Sequence, residues 1–273
     1  MNPQKLTLGF LTIADVPPAD VVRNGAKAGF DAVGLRVTGR YVGDPWFDVI
    51  GNRETIRDIR NAADNSIIRL SNVAGFYLDG ITTLKDCIPV FQTSAELGIR
   101  LMVQGCFDPD EERLVASLRA HCKEAAAHGI RVGIEFMQAS AVRTLSQAVK
   151  LIDRVGSDNA GLVIDALHLS RSDDSLQALA RIPSRDIFLF QICDAVREKP
   201  TDVTYMEEAL NGRLYPGTGE LPLADMLACI PAGTEIECEM PCASDRGLPA
   251  QQRAERAFRH TSEFLARQTN TER

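Results

Sequence analysis

Leu162-Val163-Ile164-Asp165 is an apolar run of strand length that ends on a carboxylate. The same ending recurs in Val132-Gly133-Ile134-Glu135 and, with an amide, in Phe188-Leu189-Phe190-Gln191. A more acidic version stands in Ile236-Glu237-Cys238-Glu239. Short apolar runs bounded by turn signals are the mark of buried strands. An ionised group at the last inward position of such a strand costs several kcal/mol unless something compensates it. These four stretches therefore set both the fold and the chemistry.

Outward from them, strand and helix alternate in one rhythm. Strands are expected at Leu6–Leu11, Asp31–Arg36, Ile67–Val73, Ile99–Gln104, Arg131–Phe136, Ala160–Asp165, Ile187–Gln191 and Thr234–Glu239. Helices are expected over Pro18–Ala28, Glu54–Ala63, Leu84–Leu97, Asp108–His128, Thr144–Val155, Leu176–Ala180, Leu223–Cys229 and Pro249–Leu265, ahead of a polar tail. Such alternation predicts a parallel sheet with both faces covered. Eight repeats within 273 residues favour closure into an α/β (β/α)8 TIM barrel, a single domain over 1–273. A doubly wound open sheet is the alternative, but no G-x-G-x-x-G turn or G-x-x-x-x-G-K-[ST] cradle follows a strand.

Composition narrows the function. A net charge of −7 disfavours a nucleic-acid partner. No window is apolar enough for a membrane span, and Met1-Asn2-Pro3-Gln4-Lys5 leads into a strand without a signal-like region. A cytoplasmic location is expected. Seven cysteines form no C-x-x-C pair, so neither a thiolate zinc site nor a catalytic thiol is expected; Cys87, Cys122 and Cys229 fall in helical stretches.

In a barrel, C-terminal strand ends converge on one mouth. Neighbouring side chains on a strand face opposite ways. If Val132, Ile134 and Phe136 face the helices, Gly133 and Glu135 face the axis. By the same alternation Leu162 and Ile164 face out with Asp165 in, and Phe188 and Phe190 face out with Gln191 in. On the last strand Glu235, Glu237 and Glu239 share the inner face. Glu239 lies nearest the mouth, and Glu237 takes its place if the strand ends earlier. Glu135, Asp165, Gln191 and Glu239 thus point into one volume. Four oxygen ligands suit one divalent metal ion, Mn, Mg or Co better than Zn.

Three further stretches, Gly161-Leu-Val-Ile-Asp165-Ala-Leu-His168, Phe190-Gln191-Ile-Cys-Asp194-Ala and Arg213-Leu-Tyr-Pro216-Gly217-Thr-Gly219-Glu220, carry a resemblance. Residues 130–240 resemble the xylose-isomerase-like TIM barrels, the sugar phosphate isomerase/epimerase superfamily that includes inosose isomerases and 3-dehydroshikimate dehydratases. The first hundred residues match only in rhythm. The resemblance implies Glu135, Asp165, Gln191 and Glu239 as metal ligands, the set reached by alternation. The family more often has His where Gln191 stands, and Gln there resembles its dehydroshikimate dehydratase branch. His168 is implied as an acid/base or substrate-contacting residue on the mouth loop. Arg213 is implied as a binder of a substrate oxygen or carboxylate. Asp194 is placed as an orienting residue beside the site, and Gly217 and Gly219 as a turn that positions Glu220. The few histidines (His121, His128, His168, His260) exclude the three-zinc nuclease site, and no mouth lysine matches true xylose isomerases.

The expected chemistry is proton removal next to a carbonyl through a metal-stabilised enediolate, with Glu135 and Glu239 as base and acid by turns. The expected substrate is a small polyhydroxy ketone or keto acid. Isomerisation or epimerisation of a sugar or cyclitol is the first outcome, dehydration of a cyclic hydroxyketo acid the second, and a non-catalytic sugar-binding barrel the third. Loops Val37–Arg53 and Ala74–Thr83 are expected to set the substrate, with Arg40, Tyr41, Trp46, Phe47 and Tyr77 as candidate pocket residues; Trp46 and Phe47 read rather as loop anchors. Arg36, Asn72 and Gln104, at the ends of strands two to four, are candidate polar contacts. Pairing into a homo-oligomer is left open by the absence of an obvious apolar face.

Overall fold

A computed structural model describes residues 5–172 and 174–271, so Met1–Gln4 lie outside the described residues. Eight parallel strands close into a barrel in sequence order. They are β1 Leu6–Leu8, β2 Ala32–Arg36, β3 Arg69–Ala74, β4 Leu101–Gly105, β5 Arg131–Glu135, β6 Ala160–Asp165, β7 Ile187–Ile192 and β8 Ile236–Cys238. Around them run α1 Pro18–Ala28, α2 Arg53–Ser66, α3 Leu84–Glu96, α4 Glu111–Ala127, α5 Leu145–Val155, α6 Ala166–Ser170, α7 Leu176–Leu179, α8 Tyr205–Asn211, α9 Leu223–Cys229 and α10 Ala250–Thr271. The (β/α)8 expectation is met.

Differences in the elements have local causes. The Phe10–Ile13 stretch winds into a 3₁₀ turn after β1, because Gly9 N–H and the Thr12 hydroxyl both donate to the Cys238 carbonyl on the adjacent strand β8. Ile67 caps α2 in the left-handed region at φ 54°, which delays β3 to Arg69. The segment 192–219, read as one connection, contains α8, started by a reciprocal Thr204–Glu207 capping box. The last helix continues past Leu265 to Thr271.

The large apolar core lies between barrel and helices; Val132, Ile134, Leu162, Ile164 and Phe190 all belong to it. A smaller cluster fills the barrel itself: Leu101, Val103, Val163, Phe188 and Leu189. Phe188 therefore faces in, against the alternation expected from sequence. The β6–β7 register slips between Leu162 and Val163, and this turns Phe188 onto Gly161, where any Cβ would lie 2.5 Å from the ring. A second slip between Val33 and Leu35 brings Ser71 and Asn72 together to the inner face opposite Gly34. A Cβ on Gly34 would meet Glu237 Oε2 at 2.5 Å and Asn72 Oδ1 at 2.8 Å, so glycine is required there.

Among the described residues no helix is long and apolar enough to cross a membrane. The seven cysteines are all free, and burial pushes the Cys87, Cys122 and Cys238 thiols up to about 12.

Candidate active site

β8 and the residues on either side of it carry a column of three glutamates, Glu235, Glu237 and Glu239, and each meets a different level of the barrel. Glu235 at the floor accepts from the Thr7 and Ser71 hydroxyls and pairs with Arg69 at 2.8 Å. Glu237, midway up, accepts from the Asn72 amide at 2.5 Å on Oε2 and from the Gln191 amide at 3.0 Å on Oε1. Glu239, just beyond the strand, faces Arg213 Nη2 at 3.4 Å. Burial, then the neighbouring Glu239 charge, lifts Glu237 to about 8; burial lifts Glu239 to about 7.

Asp165 ends β6 and caps α6, its Oδ1 accepting His168 N–H at 2.8 Å. His168 therefore stands on a helix, not on the loop expected from sequence. Arg213 Nη1 donates to Asp165 Oδ2 at 2.5 Å and also reaches Cys193 Sγ, while its Nε donates to the Ala209 carbonyl. Burial alone would raise Asp165, but the Arg213 and His168 interactions together, charge and hydrogen bonds, hold the carboxyl below its usual range. Arg213 is thus already occupied as the counter-charge of two acids, with its guanidinium 1% exposed.

Glu135, at the end of β5, is more open than Asp165 or Glu239, with 13% of its side chain exposed against 0% and 6%. Burial, followed by the Glu239 and Asp165 charges, lifts it well above the usual carboxylate range. Ligand atoms of Glu135, Asp165 and His168 all lie within 4.8 Å of one another. His168 Nε2 sits 3.8 Å from Glu135 Oε1. Its Nδ1 bonds the Tyr205 hydroxyl at 2.7 Å; with Tyr205 donating, the ring proton resides on Nε2 and points toward Glu135. Burial holds His168 down near 4, in its neutral form. Tyr205 escaped the sequence reading because it opens α8; the Thr204-x-x-Glu207 signature that precedes an N-terminus marks it.

Two observations make a cation fit here. Gln191 donates its amide nitrogen to Glu237 and leaves Oε1 buried with no partner, an acceptor aimed at nothing in the chain. Four carboxylates, Glu135, Asp165, Glu237 and Glu239, surround the one contacting guanidinium of Arg213. Such an excess of buried negative charge is answered either by protons or by a bound cation.

The remaining expected residues divide. Arg36 and Asn72 line the same pocket as the acids. Gln104 does not: Leu101 and Val103 occupy the inner face of β4, so Gln104 points outward and donates to the Phe76 and Gly105 carbonyls, both at 2.8 Å. Asp194 accepts four backbone N–H groups, from Ala195, Gly217, Gly219 and Leu221, and so shapes the 215–221 turn without touching the pocket. Glu220 is exposed and accepts from Arg197 N–H at 3.1 Å, and it does not line the pocket of the acids. Arg40 and Tyr77 line the pocket; Phe10, unforeseen, joins them.

A model of the xylose isomerase-like TIM barrel matches residues 22–268. The inosose isomerase of Halalkalibacterium halodurans is 25% identical over 219 residues, 75% of this chain and 74% of that protein. The 3-dehydroshikimate dehydratase of Pseudomonas aeruginosa is 32% identical over 120 residues, 44% of this chain but only 18% of that longer protein. The crystal structure of the IolI protein, which holds a zinc atom, superposes with a TM-score of 0.82 at 18% identity, covering 97% of this chain and 99% of its own.

Proposed function

This chain belongs to the xylose isomerase-like TIM barrel family, and from that premise we propose that it is a divalent-metal-dependent isomerase or epimerase of a sugar or cyclitol ketone. The observation that carries the proposal is the unpartnered Gln191 Oε1 inside a ring of acids. Glu135, Asp165, Gln191 and Glu239 would hold the ion. Glu239 is preferred to Glu237 because both Glu237 oxygens already accept amide protons from Asn72 and Gln191. An all-oxygen set favours Mn, Mg or Co over Zn. Bound there, a divalent ion supplies Lewis-acid stabilisation of negative charge developing on a substrate oxygen.

The chain's own groups do the rest. Glu135 is the acid with open access to the pocket, and it takes the proton from carbon beside the carbonyl. His168, turned by Tyr205 to present Nε2–H, donates to a substrate oxygen. Glu239, held by Arg213, returns a proton from the other side; return to the same carbon is epimerisation, and to its neighbour isomerisation. The narrow, largely buried pocket keeps water from the exposed carbanionic carbon.

A second reading, dehydration of a cyclic hydroxyketo acid, is favoured by Gln191 and by the similarity to the dehydratase. In that outcome Glu239 gives its proton to the departing hydroxyl, which leaves as water, while His168 Nε2–H hydrogen-bonds the same oxygen. Incubation of the manganese-loaded protein with inosose and with 3-dehydroshikimate in D2O separates the readings. Deuterium on the carbon next to the inosose carbonyl supports the first, and an aromatic product from 3-dehydroshikimate the second. Turnover of neither, together with no exchange in a wider panel of hydroxyketones, would end both.

A further inference from the structure

Arg36 closes β2 with its guanidinium inside the pocket. It is 6% exposed, yet it makes no ion pair among the described residues, and its single hydrogen bond is a long one, 3.5 Å from Nη1 to the Thr38 carbonyl. Three rings surround it instead. Its Cζ lies 5.3 Å from the Phe10 centroid, 5.8 Å from Tyr77 and 6.0 Å from Trp46. Each ring is itself fixed. The Trp46 indole donates to the Arg36 carbonyl at 2.9 Å, Phe10 meets Trp46 edge-on, and Tyr77 stacks on Phe107 at 4.2 Å. The cage is therefore built by the segments after β1, β2 and β3, away from the strands that carry the acids.

Aromatic faces attract a guanidinium but accept none of its N–H groups in the ordinary sense, so they do not replace a carboxylate. A buried guanidinium with most of its donors unmatched is costly unless an anion completes it. Glu135 and Glu239 line the same pocket and act on Arg36 through space, but neither touches it. The space between them belongs to the substrate. We propose that Arg36 in its cage of Phe10, Trp46 and Tyr77 is the receptor for a carboxylate, so that the ketone this enzyme takes is a keto acid. This rests on the metal-assisted proton abstraction proposed above, and assigns its substrate to the keto acids instead of the neutral cyclitols. A planar carboxylate matches the guanidinium fork with two parallel bonds. A phosphate is the poorer fit, since the second nearby cation, Arg40, lies partly exposed at the rim. A neutral cyclitol would leave the charge unanswered.

The test compares shikimate, its neutral methyl ester and inorganic phosphate as ligands of the manganese-loaded full chain, measured by titration calorimetry. The wild type is expected to bind the acid at least about tenfold more tightly than the ester, the size of one charge-assisted pair in a desolvated site. Arg36→Gln removes that preference while leaving ester affinity within about twofold. Arg36→Lys, which keeps the charge and most of the aliphatic stem, retains part of the preference and covers the case in which Arg36→Gln does not fold. Equal binding of acid and ester by the wild type, a preference that survives Arg36→Gln, or phosphate bound more tightly than shikimate would each overturn the proposal. Glu135→Gln keeps the acid preference. An intact preference in a protein that exchanges no ketone proton therefore sinks the proposed function and leaves the carboxylate receptor standing.

Discussion

The floor and the mouth of this barrel use the same residue on the same face of the same strand to opposite ends. Glu235 at the floor has two hydroxyl donors and a half-exposed arginine, Arg69. Four residues on, Glu239 shares one buried arginine with Asp165 and faces Glu135. Between the two levels lies the small apolar plug around Phe188 and Val163. A carboxylate whose oxygens are all answered is structural. One crowded among its own kind is held for a reason the chain alone does not supply.

If that contrast is right, Glu135→Gln removes the exposed acid of the mouth and lowers kcat by about 10²–10⁴, the usual range for a general base. Its melting temperature stays level or rises, because like charges are relieved; a parallel loss of stability and activity would break the contrast. Arg213→Met takes away the counter-charge of Asp165 and Glu239, and about 3–5 kcal/mol of stability is expected to go with it. Denaturant titration with and without manganese reads this, and metal should return part of the loss.

A third kind of buried polar group sharpens the comparison. His121 in α4 packs edge-on against Phe91 with neither ring nitrogen bonded, and burial lowers its pKa from 6.5 to about 3. The folded state therefore refuses a proton that the unfolded chain accepts. Stability from this group is complete above 6.5 and is lost as pH falls from there toward about 3. At pH 5 the loss is about 2 kcal/mol, from 1.36 kcal/mol per unit. His121→Leu should flatten the melting temperature between pH 7 and 5; an unchanged slope contradicts the assignment. The smallest effect belongs to Glu235→Gln, about 1 kcal/mol of stability and no change in turnover.

The barrel was legible because periodicity reports burial on both faces, and the convergence of the mouth acids because alternation held on β5, β6 and β8. It failed where a register slip intervened. Phe188 turns inward and Asn72 reaches Glu237 only because β7 and β3 each carry an irregularity, and the cause, Gly161 or Gly34 opposite, lies on another strand. Gln104 was misplaced by one residue of phase. Glu220 lies in a turn held by Asp194, and their hydrogen bonds reach across 23 to 27 residues, which no local pattern encodes. Tyr205 and the Phe10 ring meet the site from the first residues of α8 and of the 3₁₀ turn after β1, and only the capping box before Tyr205 left a mark in the sequence.

The central claim is that the mouth, unlike the floor, is built for one divalent ion. The direct measurement is the metal content of the purified protein and of two variants, Glu239→Gln and Glu235→Gln, after dialysis against manganese. About one ion per chain is expected in the wild type and in Glu235→Gln, with a loss of at least about tenfold in affinity in Glu239→Gln. Metal retained equally by all three, or by none, would contradict it.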